Sequence, residues 1–147
     1  MGLSTLEDIA YVAGILDGEG CLSLCPNGHQ QPDKFCEQIR VSNTDKKLID
    51  WLLKTFGGKH LKRSNSLKGK EKPVYNWALY GEKATSFLLI VAPYLKLKKE
   101  RADILIIHRN LKSPYRFKHN LLPQGVIREI RRLKQEITIL NKRGIDN

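Results

Sequence analysis

Sulfur is scarce in this chain: three cysteines and one methionine stand among 147 residues. Cys21, Cys25 and Cys36 are odd in number and form no C-x-x-C pair, which excludes a disulfide framework and a tetrahedral zinc site and fits a reducing interior. His29, His60, His108 and His119 show no ligand spacing, so no metal is assigned to histidine. Long hydrophobic runs are missing too. The longest, around Phe87 to Ala92, is far too short to cross a bilayer, and no basic patch leads into an apolar run at the N-terminus. The expectation is a protein with no membrane partner that works inside a cell, in a cytoplasm or an organelle. Met1-Gly2 fits the start of a myristoylation motif, but Leu6 stands where Ser or Thr is required. Acidic residues are also in deficit, with 15 Asp and Glu against 26 Lys and Arg, a net charge of +11. That excess suits an acidic polymer, because each neutralised phosphate releases counterions. A ribosomal or membrane-surface protein would share it, so charge alone does not name the partner.

What is present reads as one folded domain over residues 1–147, with 41% hydrophobic residues and no linker or low-complexity run. Ser4-Thr5-Leu6-Glu7 reads as a capping box, and Ile9, Val12, Ala13 and Leu16 recur at helical spacing, giving a helix from about Thr5 to Asp17 that stops at Gly18 and Gly20. Cys21 to Cys25 and Phe35 to Ser42 alternate around a polar break and form a hairpin. Leu22, Leu24, Phe35, Ile39 and Val41 then face a core, leaving Ser23, Cys25, Gln38, Arg40 and Ser42 on the opposite, polar face. A second helix spans Asp45 to Phe56 and closes at Gly57-Gly58. His60 to Ser64 and Val74 to Tyr80 make a second hairpin, with Leu61, Tyr75, Trp77 and Leu79 inward and His60, Lys62, Ser64, Asn76, Ala78 and Tyr80 outward. Helices follow over about Glu82–Ala92, Glu100–Leu111 and Gln124–Asn141, the last with an apolar stripe of Val126, Ile127, Ile130, Leu133, Ile137 and Leu140. Trp51 and Trp77 read as core. The order is αββαββα plus further helices, an α+β class with a four-stranded antiparallel sheet.

Tyr11-Val12-Ala13-Gly14-Ile15-Leu16-Asp17-Gly18-Glu19-Gly20 resembles the LAGLIDADG motif of the homing endonucleases at nearly every place, and the element order over about Leu6 to Leu111 is similar to that family's fold. Small residues at Ala10, Ala13 and Gly14 let two copies of the helix pack closely, with Asp17 at the same interface. The sharp helix end throws out a carboxylate where a hard cation can sit beside a phosphate. Acids at a helix C-terminus oppose the dipole, so Asp17 and Glu19 need another reason to be there. The resemblance implies that Glu19 and the Gly18 carbonyl bind Mg2+, with Mn2+ able to substitute. Glu stands where many relatives have Asp, which alters the metal geometry but not the role.

Only one copy of the motif is present, so the resemblance implies a homodimer. Lys98, in Pro93-Tyr94-Leu95-Lys96-Leu97-Lys98, resembles the family's P-x-L-x-x-K segment and would stabilise charge or organise the attacking water. Asn43 and Lys47 fall where relatives place polar or basic residues that order water. Asn43 also reads as a turn cap in Ser42-Asn43-Thr44-Asp45. The polar sheet face would enter the major groove of double-stranded DNA, where Arg40 and Lys62 suit guanine, Gln38 and Asn76 suit adenine, and Ser23 and Ser64 suit either. Lys34, Lys68, Lys70 and Lys72 at the hairpin tips would grip phosphates. By resemblance, the activity is hydrolysis of both strands of a long, roughly palindromic site with 3′ overhangs, by an intron-encoded protein. Two alternatives stay open: an intron RNA maturase, and a DNA-binding regulator of the same fold that does not cut.

Overall fold

The computed structural model describes residues 4–28, 33–61, 72–115 and 122–142. In chain order they form α1 (Leu6–Glu19), β1 (Gly20–Pro26), β2 (Phe35–Asn43), α2 (Lys46–Phe56), β3 (Lys59–Leu61), β4 (Tyr75–Tyr80), α3 (Gly81–Val91), α4 (Lys99–Lys112) and α5 (Gln124–Leu140), with single 3-10 turns at Ala92–Tyr94 and Ser113–Tyr115. The α+β order αββαββα with added helices is therefore the one that forms. Among these residues no helix is long and apolar enough to cross a membrane.

α1 starts at a capping box shifted one residue from the expected one. Thr5 Oγ1 accepts from the Asp8 amide at 3.1 Å and the Asp8 carboxylate accepts from the Thr5 amide at 3.1 Å. The helix continues two residues past Asp17, to Glu19, and Gly20 turns it straight into β1. A Cβ at Gly20 would lie 2.8 Å from Leu16 Cα and O, so only glycine permits so tight an exit. α2 is capped by Asp45, whose carboxylate takes the Lys47 amide at 2.9 Å. Its exit passes through Gly58 at φ 98°, where a Cβ would stand 2.7 Å from the Ala78 carbonyl.

The sheet order is β1-β2-β4-β3, antiparallel throughout, with Leu22 opposite Ile39, Ile39 opposite Leu79 and Val41 opposite Trp77. That register puts Leu22, Leu24, Phe35, Ile39, Val41, Trp77 and Leu79 on one buried face, packed against α1 to α4. Each fully buried side chain of this size contributes about 1.5–3 kcal/mol. Trp77 satisfies its indole by donating to the Gly57 carbonyl at 2.6 Å. Among the described residues no helix packs on the other face, where Arg40 and Ser42 are exposed.

β3 corrects the expected pairing. His60 lies opposite Trp77, and Lys59 and Leu61 lie opposite Ala78 and Asn76. Cross-strand partners share a face, so His60 sits on the side of Trp77, and Lys59 with Leu61 on the polar side. A one-residue shift inverts a strand, and a three-residue strand behind two glycines is too short for alternation to fix.

α5 lies along the outer edge of β1. Lys134 Nζ donates to the Leu24 carbonyl at 2.7 Å and Asn141 Nδ2 to the Leu22 carbonyl at 2.8 Å, closing an edge that would otherwise pair with another chain. Arg131 grips Asp33, at the tip of the first hairpin, through two bonds of 2.7 and 2.9 Å, and holds that carboxyl below its usual range.

Candidate nucleic-acid interface and active site

The last turn of α1 collects the motif's chemistry. Glu19 is exposed at the helix end, and Asn43 Nδ2 donates to its Oε2 at 2.6 Å. Asn43 Oδ1 simultaneously accepts from the Asp45 amide at 2.7 Å. Asn43 is thus the turn cap that was expected, and the turn fixes its amide so that the NH2 points at Glu19. Lys98 Nζ reaches the carbonyls of Leu16 at 2.7 Å and Gly20 at 2.5 Å. α1 has no basic residue in its own last turn, so Lys98 supplies the cation that its dipole favours, one residue from Glu19. The structure thus brings Glu19, Asn43 and Lys98 together. It does not bring Lys47 into that group: no hydrogen bond or ion pair among the described residues joins the two, and Lys47 lines a cleft with Glu7, Asp8, Tyr11 and Trp51.

The exposed stripe of α1 runs through Leu6, Ala10, Gly14 and Gly18 at every fourth residue. A Cβ at Gly14 or Gly18 would meet nothing within 4 Å. Glycine inside a helix costs about 1 kcal/mol against alanine, and nothing in the described chain requires it there. Ala13, expected on this stripe, is 1% exposed and belongs to the chain's own core beside Val12 and Leu16. Asp17 is also reassigned: its carboxylate is turned to the segment before α4, where it accepts amides of Lys96, Leu97 and Lys98.

On the polar sheet face, Ser23, Cys25 and Gln38 form a chain. Cys25 Sγ donates to Gln38 Oε1 at 2.6 Å, Ser23 Oγ to the same oxygen at 3.3 Å, and Gln38 Nε2 to the Tyr80 hydroxyl at 3.2 Å. Ser42 Oγ donates to Asn76 Oδ1. This pairing and the neighbouring strands bury Asn76, and Ala78 is fully buried, so neither reaches outward as expected. Arg40 stands between Cys21 and Ala78, exposed and with no hydrogen bond or ion pair to the described residues. Lys59, absent from the expected set, shares that row and places its Nζ 5.8 Å from the Tyr80 ring centre. Lys34 and Lys72 are described at the ends of the loops. Lys62, Ser64, Lys68 and Lys70 lie outside the described residues.

A second charged group was missed in the sequence. Glu37 is fully buried on the core side of β2, bonded to His108 Nδ1 at 2.8 Å and Arg109 Nη2 at 2.7 Å, with Lys112 Nζ at 3.8 Å. Burial pushes its carboxyl up, but the His108 hydrogen bond and the Lys112 charge outweigh that and leave it below its usual range. Burial lowers His108 and Lys112 from their ordinary values. The signal was available: Glu37 has the parity of Phe35, Ile39 and Val41, and three cationic residue types stand together at 108, 109 and 112.

No family model matches the sequence, and no curated protein matches it. Solved structures do. The homing endonuclease I-CvuI, in complex with DNA, superposes with a TM-score of 0.74 at 20% identity over 96% of this chain and 85% of its own. The archaeal intron-encoded homing endonuclease I-Vdi141I, complexed with DNA, gives 0.71 at 14% identity over 94% and 86%. The LAGLIDADG homing endonuclease I-LtrWI, bound to target DNA, gives 0.67 at 16% identity over 92% of this chain and 45% of that one. The chain has the LAGLIDADG homing-endonuclease fold. Within that LAGLIDADG fold, the helix that bears the motif is α1 and the uncovered sheet face is the one carrying Arg40.

Proposed function

We propose that this chain is a member of the LAGLIDADG homing endonucleases, a single domain over residues 1–147 that acts as a homodimer on double-stranded DNA. The observation that carries this reading is the exposed Glu19 carboxylate, oriented by Asn43, at the tip of a helix beside an uncovered polar sheet face in a chain of net charge +11. The donor set fits Mg2+: a carboxylate oxygen and the Gly18 carbonyl are hard ligands, and the space around Gly18 is open. Bound there, Mg2+ or Mn2+ would polarise the scissile phosphate and lower the pKa of a water molecule. Asn43 keeps Glu19 in one rotamer, Lys98 holds positive charge beside it, and water is the nucleophile.

The dimer reading is supported by the exposed Leu6, Ala10, Gly14 and Gly18 stripe of α1. Gly14→Leu tests it. The isolated fold should keep its melting temperature or gain slightly, because leucine is the better helix former by about 0.8 kcal/mol. Dimer dissociation measured by analytical ultracentrifugation should rise at least about a hundred-fold, which is roughly 2.7 kcal/mol.

Arg40 is an exposed side chain on the described sheet face whose donors are not already used by described residues, which suits bidentate contact with guanine O6 and N7. Binding-site selection from a randomised duplex library tests both points. The enriched site should be long and two-fold symmetric with 3′ overhangs after cleavage, and Arg40→Ala should lose about 1–3 kcal/mol of preference at one guanine per half-site. A site without symmetry would contradict the dimer. The intact pair Glu19 and Lys98 favours cleavage over a maturase or regulator role. A tight complex with intron RNA, undiminished by Glu19→Gln, would reverse that choice.

A further inference from the structure

Asp17 occupies an electrostatically poor place, at the carboxyl end of a helix whose last turn already ends in Glu19. Its compensation comes from far along the chain. Oδ2 accepts the Lys96 amide at 2.7 Å, and Oδ1 accepts the amides of Leu97 at 3.1 Å and Lys98 at 3.0 Å. Three successive N–H groups converging on one carboxylate fix the backbone of the segment between the 3-10 turn and α4. Lys98 is the residue just before α4, with φ −113° and ψ 15°, and no side chain caps that helix. From this backbone the Lys98 stem returns to α1, and its ammonium meets the Leu16 and Gly20 carbonyls. The two contacts are reciprocal: α1 lends a carboxylate to the segment's amides, and the segment lends a cation to the end of α1.

We infer that Asp17 is a positioning residue for the cleavage step, acting through Lys98. A lysine side chain has four rotatable bonds and, left to itself, spreads its ammonium over many places. With its backbone tied at three consecutive amides, the ammonium stays at the Gly18–Gly20 turn where the scissile phosphate is proposed to lie. The inference rests on the endonuclease reading. It goes beyond that reading by separating Asp17 from both the dimer contact and the metal.

The test compares wild type, Asp17→Asn, Lys98→Ala and the double variant on the DNA target selected by the wild-type protein. Single-turnover cleavage is followed in Mg2+, DNA affinity in Ca2+, and subunit state by sedimentation. Asp17→Asn is expected to cleave about ten- to a hundred-fold more slowly, the usual loss when a supporting side chain is removed. DNA affinity should stay within about two-fold and the dimer should persist. Because both variants act through one ammonium, the double variant should be no slower than Lys98→Ala alone. Hydrogen exchange on the free proteins gives a readout that needs no DNA: amides of Lys96, Leu97 and Lys98 should exchange much faster in Asp17→Asn while α1 keeps its protection. The inference is overturned by wild-type cleavage in Asp17→Asn, by losses that multiply in the double variant, by a loss of rate that tracks loss of the dimer, or by unchanged exchange at the three amides. A wild-type protein that cuts no DNA overturns the endonuclease reading instead, and the exchange result then still decides whether Asp17 holds the segment.

Discussion

Glu19→Gln is expected to lower DNA cleavage in Mg2+ by about a thousand-fold or more, roughly 4 kcal/mol of transition-state stabilisation, while leaving DNA affinity in Ca2+ within a few-fold of wild type. The amide keeps the size of the side chain and can still accept from Asn43 Nδ2 through its own oxygen, so the turn that Asn43 caps should survive. What it removes is the negative charge that holds a hard cation. Because Glu19 is exposed at the end of α1 and outside the core, melting temperature should change by little. A Glu19→Gln protein that cuts at the wild-type rate would take catalysis away from this helix tip.

The largest stability effect should come from a residue with no part in that chemistry. Glu37→Ala leaves His108, Arg109 and Lys112 facing a buried site without their common acceptor. Breaking a buried ionic group in this way costs about 3–5 kcal/mol, a large share of the roughly 5–15 kcal/mol that holds an ordinary domain together. For a chain of this length that is a drop of roughly 10 °C in melting temperature, readable by calorimetry.

The same group sets the acid response. His108 is held below its ordinary value by burial, so the unfolded chain takes up its proton first; stability is full above about 6.5 and falls as the pH drops through and below it. Glu37 is also lowered, so its contribution is present above its ordinary value and is lost as the pH falls further, through its folded value. Wild type should therefore lose stability in two successive stages on acidification. In Glu37→Ala the lower stage should lose the part that Glu37 contributes and become shallower.

The element order was legible because capping residues, alternation and glycine stops agreed with one another along the whole chain. Ser23, Cys25, Gln38, Arg40 and Ser42 fell on the uncovered face as read, since strands of seven and nine residues carry enough alternation to fix parity. Three residues of β3 do not, and His60 was assigned to the wrong side. Glu37 was passed over because its charge argued against the parity that its position required. Ala13 was read from the motif as a contact residue, but a helix packed on a sheet must bury one stripe within its own chain, and Ala13 lies there with Val12 and Leu16. The partners of Asp17, about eighty residues away, could not be seen, because a carboxylate that binds backbone amides leaves no trace in the identity of the residues it binds.

Strand cleavage of the selected DNA target by the purified protein, with Mg2+ against EDTA, tests the central claim most directly. The expected result is a cut in each strand at one site, dependent on the metal, with a two-fold relation between the cuts. A protein that binds this DNA tightly in Mg2+ and leaves both strands whole would contradict the endonuclease reading.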